Sequence, residues 1–242
     1  MPRLHGLAAV LAIGLASPVM ARAAPPTAPS AEVVSLPPEE LDRREIKRTD
    51  IGMLDLPTGE IIACDPLVTG PDWPALARKV KPGRYPVALF EAQGRVGLAV
   101  LRLASGKPSR WEMAVLPGQD ASTLKKDEIF GYPVDAGLGS FMDKTAMALL
   151  TQAQARLGSD RNYYDDVLAA EFAPNADRFV MHRPVAGDPA NIAMFWSGWG
   201  DGFYASYWGL DAQGEPLVLM TDFGVIENAD GRRGGSPLKS LQ

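Results

Sequence analysis

Apolar residues in this 242-residue chain fall mostly at a period of two or in short runs, and at helical spacing in two central stretches. The runs Ile51 to Leu56 and Ile61 to Cys64 flank Pro57-Thr-Gly-Glu60, a link that predicts a hairpin. Asp65-Pro66 ends the second run, because proline restricts its predecessor and lacks the ladder donor. Trp73 to Val80 reads as a short helical turn closed by Pro82-Gly83. The clearest hairpin of the first half is Tyr85 to Phe90, a turn at Glu91 to Arg95, and Val96 to Leu103 returning. Val96, Leu98, Val100 and Arg102 then share one face, with Gly97, Ala99, Leu101 and Leu103 on the other. Both faces are apolar as far as Arg102, so a layer is expected over each. Trp111, Met113 and Val115 alternate more cleanly, and residues 119 to 128 read as a small exposed helix.

The helical pattern begins after Tyr132-Pro-Val-Asp-Ala-Gly-Leu-Gly-Ser-Phe-Met-Asp143. Ser140 is placed as an N-cap with Asp143 at the capping-box position. Met142, Ala146, Leu149, Leu150, Ala153 and Leu157 form an apolar stripe that Gly158 stops. A second helix is expected from Asn162 to Phe172, capped by Asp160 and burying Tyr164, Val167, Leu168 and Phe172. Strands follow at Phe179 to His182, Ile192 to Trp196, Phe203 to Leu210 and Leu217 to Phe223, the last two joined by the turn Asp211 to Glu215. Strands, then helices, then strands predict an α+β fold: a mostly antiparallel sheet built from hairpins, with two central helices packed on one face.

The termini change the domain picture. Arg3, the apolar run from Gly6 to Ser17, Pro18 and Ala21-Arg-Ala23 form a secretory signal pattern, too short for a membrane span. Residues 1–23 are therefore expected to be removed, and the protein to be periplasmic or secreted with no membrane span afterwards. Residues 24–48 read as a Pro/Ala-rich and charged leader, extended and then a solvated turn or loop. A single globular domain is expected over 49–228 and a flexible tail over 229–242. The formal net charge is −5, and it becomes more negative once Arg3 and Arg22 leave with the signal. With no basic block to neutralise phosphates, no nucleic-acid partner is expected. Cys64 is the one cysteine, so no internal disulfide staples the fold, and it reads as a small buried residue.

Candidate chemistry concentrates in two glycine-rich stretches. Asp135 and Asp143 flank Gly137 and Gly139, a loop whose amides and following helix could offer an anion site or gather a hard cation. The simpler reading is turn and cap chemistry, with the glycines at positive φ. The second stretch, Ser197 to Asp211, offers Asp201 with Trp199, Tyr204 and Trp208 as an aromatic wall, or else Tyr204 and Trp208 as core. Asp222 lies in the apolar run Leu217 to Phe223 and must be wet, paired or at a strand end. Beyond the signal, His182 is the one histidine, which excludes a zinc cluster of His and Cys, and a strand-end structural role is expected of it. Phosphate-loop, dinucleotide and serine-elbow motifs are absent, and no cofactor is expected.

Five motifs occur together and in order: Gly59-Glu-Ile-Ile-Ala-Cys-Asp-Pro-Leu67, Pro82-Gly-x-Tyr-Pro86, Tyr132-Pro-Val-Asp-Ala-Gly-x-Gly-x-Phe-Met-Asp143, Ser197-Gly-x-Gly-Asp-Gly-x-Tyr204 and Leu217-Val-x-x-x-Asp-Phe223. The set resembles the bacterial domain-of-unknown-function family numbered 4241, over roughly residues 50 to 225. The resemblance implies one compact domain and brings no reaction with it. From the residues themselves, the leading expectation is an exported, non-enzymatic binding or interaction module for a small molecule or protein. Its ligand-binding candidates are Asp135, Gly137, Gly139, Trp199, Asp201, Tyr204, Trp208 and Asp222. The alternative is a carboxylate-dependent hydrolase aided by Ca²⁺ or Mg²⁺.

Overall fold

The structure, a computed structural model, describes residue 28 and residues 30–125, 128–158 and 160–227. The expected signal segment and the tail lie outside the described residues. No described helix is long and apolar enough to cross a membrane.

The strands form two antiparallel sheets where one had been expected. Strands β1 (Lys47–Leu56), β2 (Ile61–Cys64), β3 (Gly83–Ala92), β4 (Arg95–Arg102), β5 (Arg110–Met113) and β6 (Tyr132–Val134) belong to the first half. Strands β7 (Leu138–Asp143), β8 (Phe179–His182), β9 (Ile192–Trp196), β10 (Gly202–Leu210) and β11 (Pro216–Asp222) follow. The seven-stranded sheet runs β1-β3-β4-β11-β10-β5 with β6 also on β10, and the four-stranded sheet runs β2-β7-β9-β8. Helices α1 (Pro38–Arg43), α2 (Lys144–Leu157) and α3 (Ala169–Phe172) complete the regular elements.

Three buried layers explain why so many strands are apolar on both faces. Between the sheets, Leu54, Leu89, Leu101 and Leu219 meet Phe141, Ala193 and Phe195. On the far side of the small sheet, Ile62, Met142, Ile192 and Met194 pack with Ala146, Leu150, Leu168 and Phe172. On the far side of the large sheet, Leu98, Val100, Val218 and Met220 pack with Val33, Val34, Leu41 and Ile46. This third layer corrects the reading of the leader. Residues 30–46 form a 3-10 turn (Ala31–Ser35) and α1, and their apolar side chains cover the large sheet. Four apolar residues spaced irregularly among prolines and charges carry no period, which is why they read as solvated.

Pro57-Thr-Gly-Glu60 is not a hairpin turn. It carries the chain from β1, paired with β3, to β2, paired with β7. Gly59 is required there: its φ is +71°, and a Cβ would lie 2.0 Å from the Val80 carbonyl oxygen. Trp73 to Val80 is irregular, not helical, because three of its amides bond to carbonyls elsewhere in the chain: Leu76 donates to Ile61 O, Ala77 to Val115 O and Val80 to Gly59 O. The β3–β4 hairpin stands as expected, on Gln93-Gly94 with positive φ at both residues, as a type I′ turn needs. The hairpin of β10 with β11 also stands.

Helix α2 begins later than expected. Ser140 is inside β7, where its hydroxyl donates to Cys64 O, and Asp143 is the N-cap, accepting from Thr145 N–H at 3.0 Å. Gly158 ends the helix at φ +95°. The second helical stretch is irregular, a π-helical turn (Tyr164–Leu168) running into α3, and Asn162 rather than Asp160 accepts from its first amides, those of Tyr164 and Asp165. The segment at 119–128 is reduced to a 3-10 turn (Ala121–Thr123) that Asp120 caps, with residues 126 and 127 outside the described set.

Candidate functional site

The two glycine-rich stretches meet because each carries the chain across from one sheet to the other. Tyr132–Val134 pairs with β10 in the large sheet and Leu138–Asp143 with β9 in the small one, so the crossing occurs at Asp135-Ala-Gly137. Trp196 ends β9 and Gly202 starts β10, so residues 197–201 cross back alongside. Ser197 N–H donates to Gly137 O at 3.0 Å and fastens the two loops. Gly198, at φ +65°, has no room for a Cβ, which would lie 2.8 Å from Val96 O and from the Phe223 side chain. We refer to this junction as the glycine corner.

The amides that promised an anion site are already satisfied by the chain's own carboxylates. Asp65 is fully buried; its Oδ2 accepts from Asp135 N–H (3.1 Å) and Ala136 N–H (2.7 Å), and its Oδ1 from Leu67 N–H (3.1 Å). Two successive amides converging on one oxygen form a nest for negative charge. Burial pushes the Asp65 carboxyl above its ordinary value, and the three amide bonds pull it back. At the start of α2, Asp143 is equally buried and accepts from both the amide and the hydroxyl of Thr58 and of Thr145. It ties the β1–β2 crossover to the helix.

The other candidates separate by depth. Gly139 lies under three rings: a Cβ there would come within 2.7 Å of Tyr132 Oη, 2.8 Å of Phe195 and 2.9 Å of Phe223. Tyr204 and Trp208 share the face of β10 that packs between the sheets, so they form core and no ligand-facing wall. Tyr204 Oη donates to Gly200 O at 2.9 Å and braces the corner from inside. Asp222 is buried 1 % exposed, with Oδ1 accepting from Gly224 N–H (2.9 Å) and Oδ2 from Ser30 N–H (3.3 Å). Burial pushes its carboxyl up to about 6, against the pull of those bonds. Its partner is the N-terminal segment, not a ligand.

Asp135 and Asp201 are exposed, and Trp199 is 47 % exposed. Trp199 is anchored at its rim by Nε1 donating to Gly224 O at 3.2 Å, with the Arg95 guanidinium 4.5 Å from its ring centre. Trp196, 38 % exposed, joins it on the same corner. Alternation along β9 puts Trp196 on the face of the buried Ile192 and Met194, yet it is exposed, and the sequence did not single it out. Asp65 was missed for a different reason. A carboxylate before proline reads as a strand stop, and nothing local announces partners 70 residues away.

Two clefts flank the start of α2. One, about 580 Å³, lies between Asp55, Arg84, Leu149 and Pro189; the other, about 630 Å³, between Trp73, Lys79, Pro117 and Lys144. Neither is lined by any of the ligand-binding candidates read from the sequence. Among the described residues, no group of three or more His, Cys, Asp or Glu side chains is arranged to hold a metal ion. Cys64 is buried, and burial pushes its thiol up to about 12, which makes it inert.

No curated protein and no solved structure matches the chain. A family model does match, over residues 54–221, from within β1 to within β11, and it takes in Asp65, Asp143 and both loops of the corner. The chain belongs to that family, described as protein of unknown function (DUF4241).

Proposed function

We propose that this protein is an exported binding module that docks a partner protein through the glycine corner. The observation that carries this is two exposed tryptophans three residues apart, Trp196 at the end of β9 and Trp199 on the braced loop that follows. Tryptophan and arginine dominate the binding energy of protein interfaces, and a ring held in place before docking loses little entropy on binding. Arg95 stacks on Trp199 and donates to Gly198 O at 3.0 Å, so the aromatic and the cation are presented as one unit. Asp135 and Asp201 supply a polar rim. Export rests on the signal pattern of residues 1–23, and an N-terminus at Ala24 in the mature protein tests it.

The hydrolase reading has less support, since Asp143 and Asp222 spend their oxygens on the chain's own donors. A photoreactive residue at position 199, introduced in the cell that makes the protein, is expected to give one discrete cross-linked protein. The same residue at exposed Lys107 is the control, and Trp196→Ala is expected to lower the yield at 199 at least tenfold. Equal patterns from positions 199 and 107, or no discrete product at 199, refute the reading.

A further inference from the structure

His182 stands apart from the corner and is used by nothing described so far. It is 1 % exposed, at the end of β8, with both ring nitrogens engaged: Nδ1 lies 2.9 Å from Glu171 Oε2 and Nε2 lies 2.9 Å from Tyr163 Oη. An ionised carboxylate can only accept, so Nδ1 carries the proton and Nε2 keeps its lone pair for the Tyr163 hydroxyl. The result is a hydroxyl donating to an imidazole that a carboxylate orients, the relation that activates nucleophiles in covalent catalysis. Tyr163 is partly exposed, Glu171 is 39 % exposed, and the imidazole between them is sealed. Tyr163 also directly precedes the π-helical turn Tyr164–Leu168, an irregularity common at functional sites. The ring of Tyr163 meets that of His182 edge to face at 5.7 Å, which fixes the direction of the hydroxyl.

We propose that Tyr163, His182 and Glu171 form a nucleophilic site that takes an acyl group from an activated ester. Tyr163 Oη forms the new bond to the acyl carbon as the bond from that carbon to the leaving alcohol oxygen breaks. The phenolic proton passes to His182 Nε2, Glu171 holds the imidazolium, the departing oxygen takes a proton from water, and the imidazolium later returns its own to solvent. The products are O-acyl-Tyr163 and the free alcohol, and no electrons change hands. The base is essential here. Burial pushes the Tyr163 phenol up to about 12, so at neutral pH almost no phenolate forms without help. The site goes beyond the docking reading and shares no residue with the corner.

A packing clamp and an activated phenol give opposite results with 4-nitrophenyl acetate as the acyl donor. Acetylation at each tyrosine is followed by peptide mass spectrometry, with the partly exposed Tyr85 as the internal standard. Tyr163 is expected to acetylate at least tenfold faster than Tyr85 at pH 7.5. His182→Gln is expected to slow it at least tenfold and Glu171→Gln several-fold. Glu171 is exposed enough that its variant keeps the fold, so it decides the matter if the His182 variant does not fold. Acetylation of Tyr163 no faster than Tyr85 overturns the proposal. So does a rate that climbs tenfold per pH unit toward 12, or one that increases when either partner is replaced.

Discussion

Above pH 6 the Asp222 carboxyl is ionised inside the protein, with two amide donors and, among the described residues, no cation beside it. Its folded-state value of about 6 stands above the ordinary 3.8, so the native protein holds a proton that the unfolded chain has already released. The sign follows directly. Stability from this group is fully present below about pH 4 and is lost as the pH rises to 6, then stays flat. A shift of about 2 units at 1.36 kcal/mol each makes the loss about 3 kcal/mol. Asp222→Asn is neutral at every pH: its amide oxygen keeps the Gly224 bond, and its amino group faces the Ser30 donor, a fixed penalty that does not titrate. Urea unfolding of both proteins at pH 4, 5, 6 and 7 isolates the term, since every other titrating group is common to the two. The wild type is expected to lose about 3 kcal/mol relative to the variant between pH 4 and 7. Parallel profiles refute the claim that burial dominates the carboxyl and would mean that the Ser30 and Gly224 bonds offset it completely.

Three further outcomes are expected. Gly139→Ala pushes a methyl group into the Tyr132, Phe195 and Phe223 rings and is expected to cost about 1–3 kcal/mol, whereas Gly70→Ala, with open space around it, stays within about 0.5 kcal/mol in the same unfolding assay. Asp65→Ala strands three partly buried amides and is expected to cost about 1–3 kcal/mol, with amide exchange at residues 135–136 rising with it; unchanged exchange would show that the nest stands without the carboxylate. Deleting residues 24–46 from the mature protein uncovers the large sheet and is expected to cost on the order of 5 kcal/mol in the same unfolding assay, from four large buried apolar side chains.

Much of the local structure was legible in the chain. The turn around Gln93-Gly94, the turn that joins β10 to β11, the apolar stripe of α2 and its stop at Gly158 depend on neighbours within a few residues, and each was read from them. Asp143 as a cap was legible too, though Ser140 competed for the role until β7 claimed it. The apolar character of both faces of β4 anticipated a layer over each.

Sheet membership was not legible, because an antiparallel partner can lie at any distance along the chain. β1 and β2 looked like a hairpin because their link has turn chemistry, yet each found its partner in a different sheet. The same nonlocality decided the carboxylates. Asp143 and Asp222 were read as candidates for binding or catalysis, and Asp65 only as the residue that stops a strand. Donors 70, 85 and 192 residues away turned all three into fasteners. The sequence by itself determined most of the strands, the stop of α2 at Gly158 and the glycines that sharp crossings need. Only the tertiary structure decided that the glycine loops are sheet-to-sheet corners, that Trp196 is left outside, and that His182 lies between a phenol and a carboxylate. Each of those facts depends on which distant surface closes over a residue, and no window of neighbours records that.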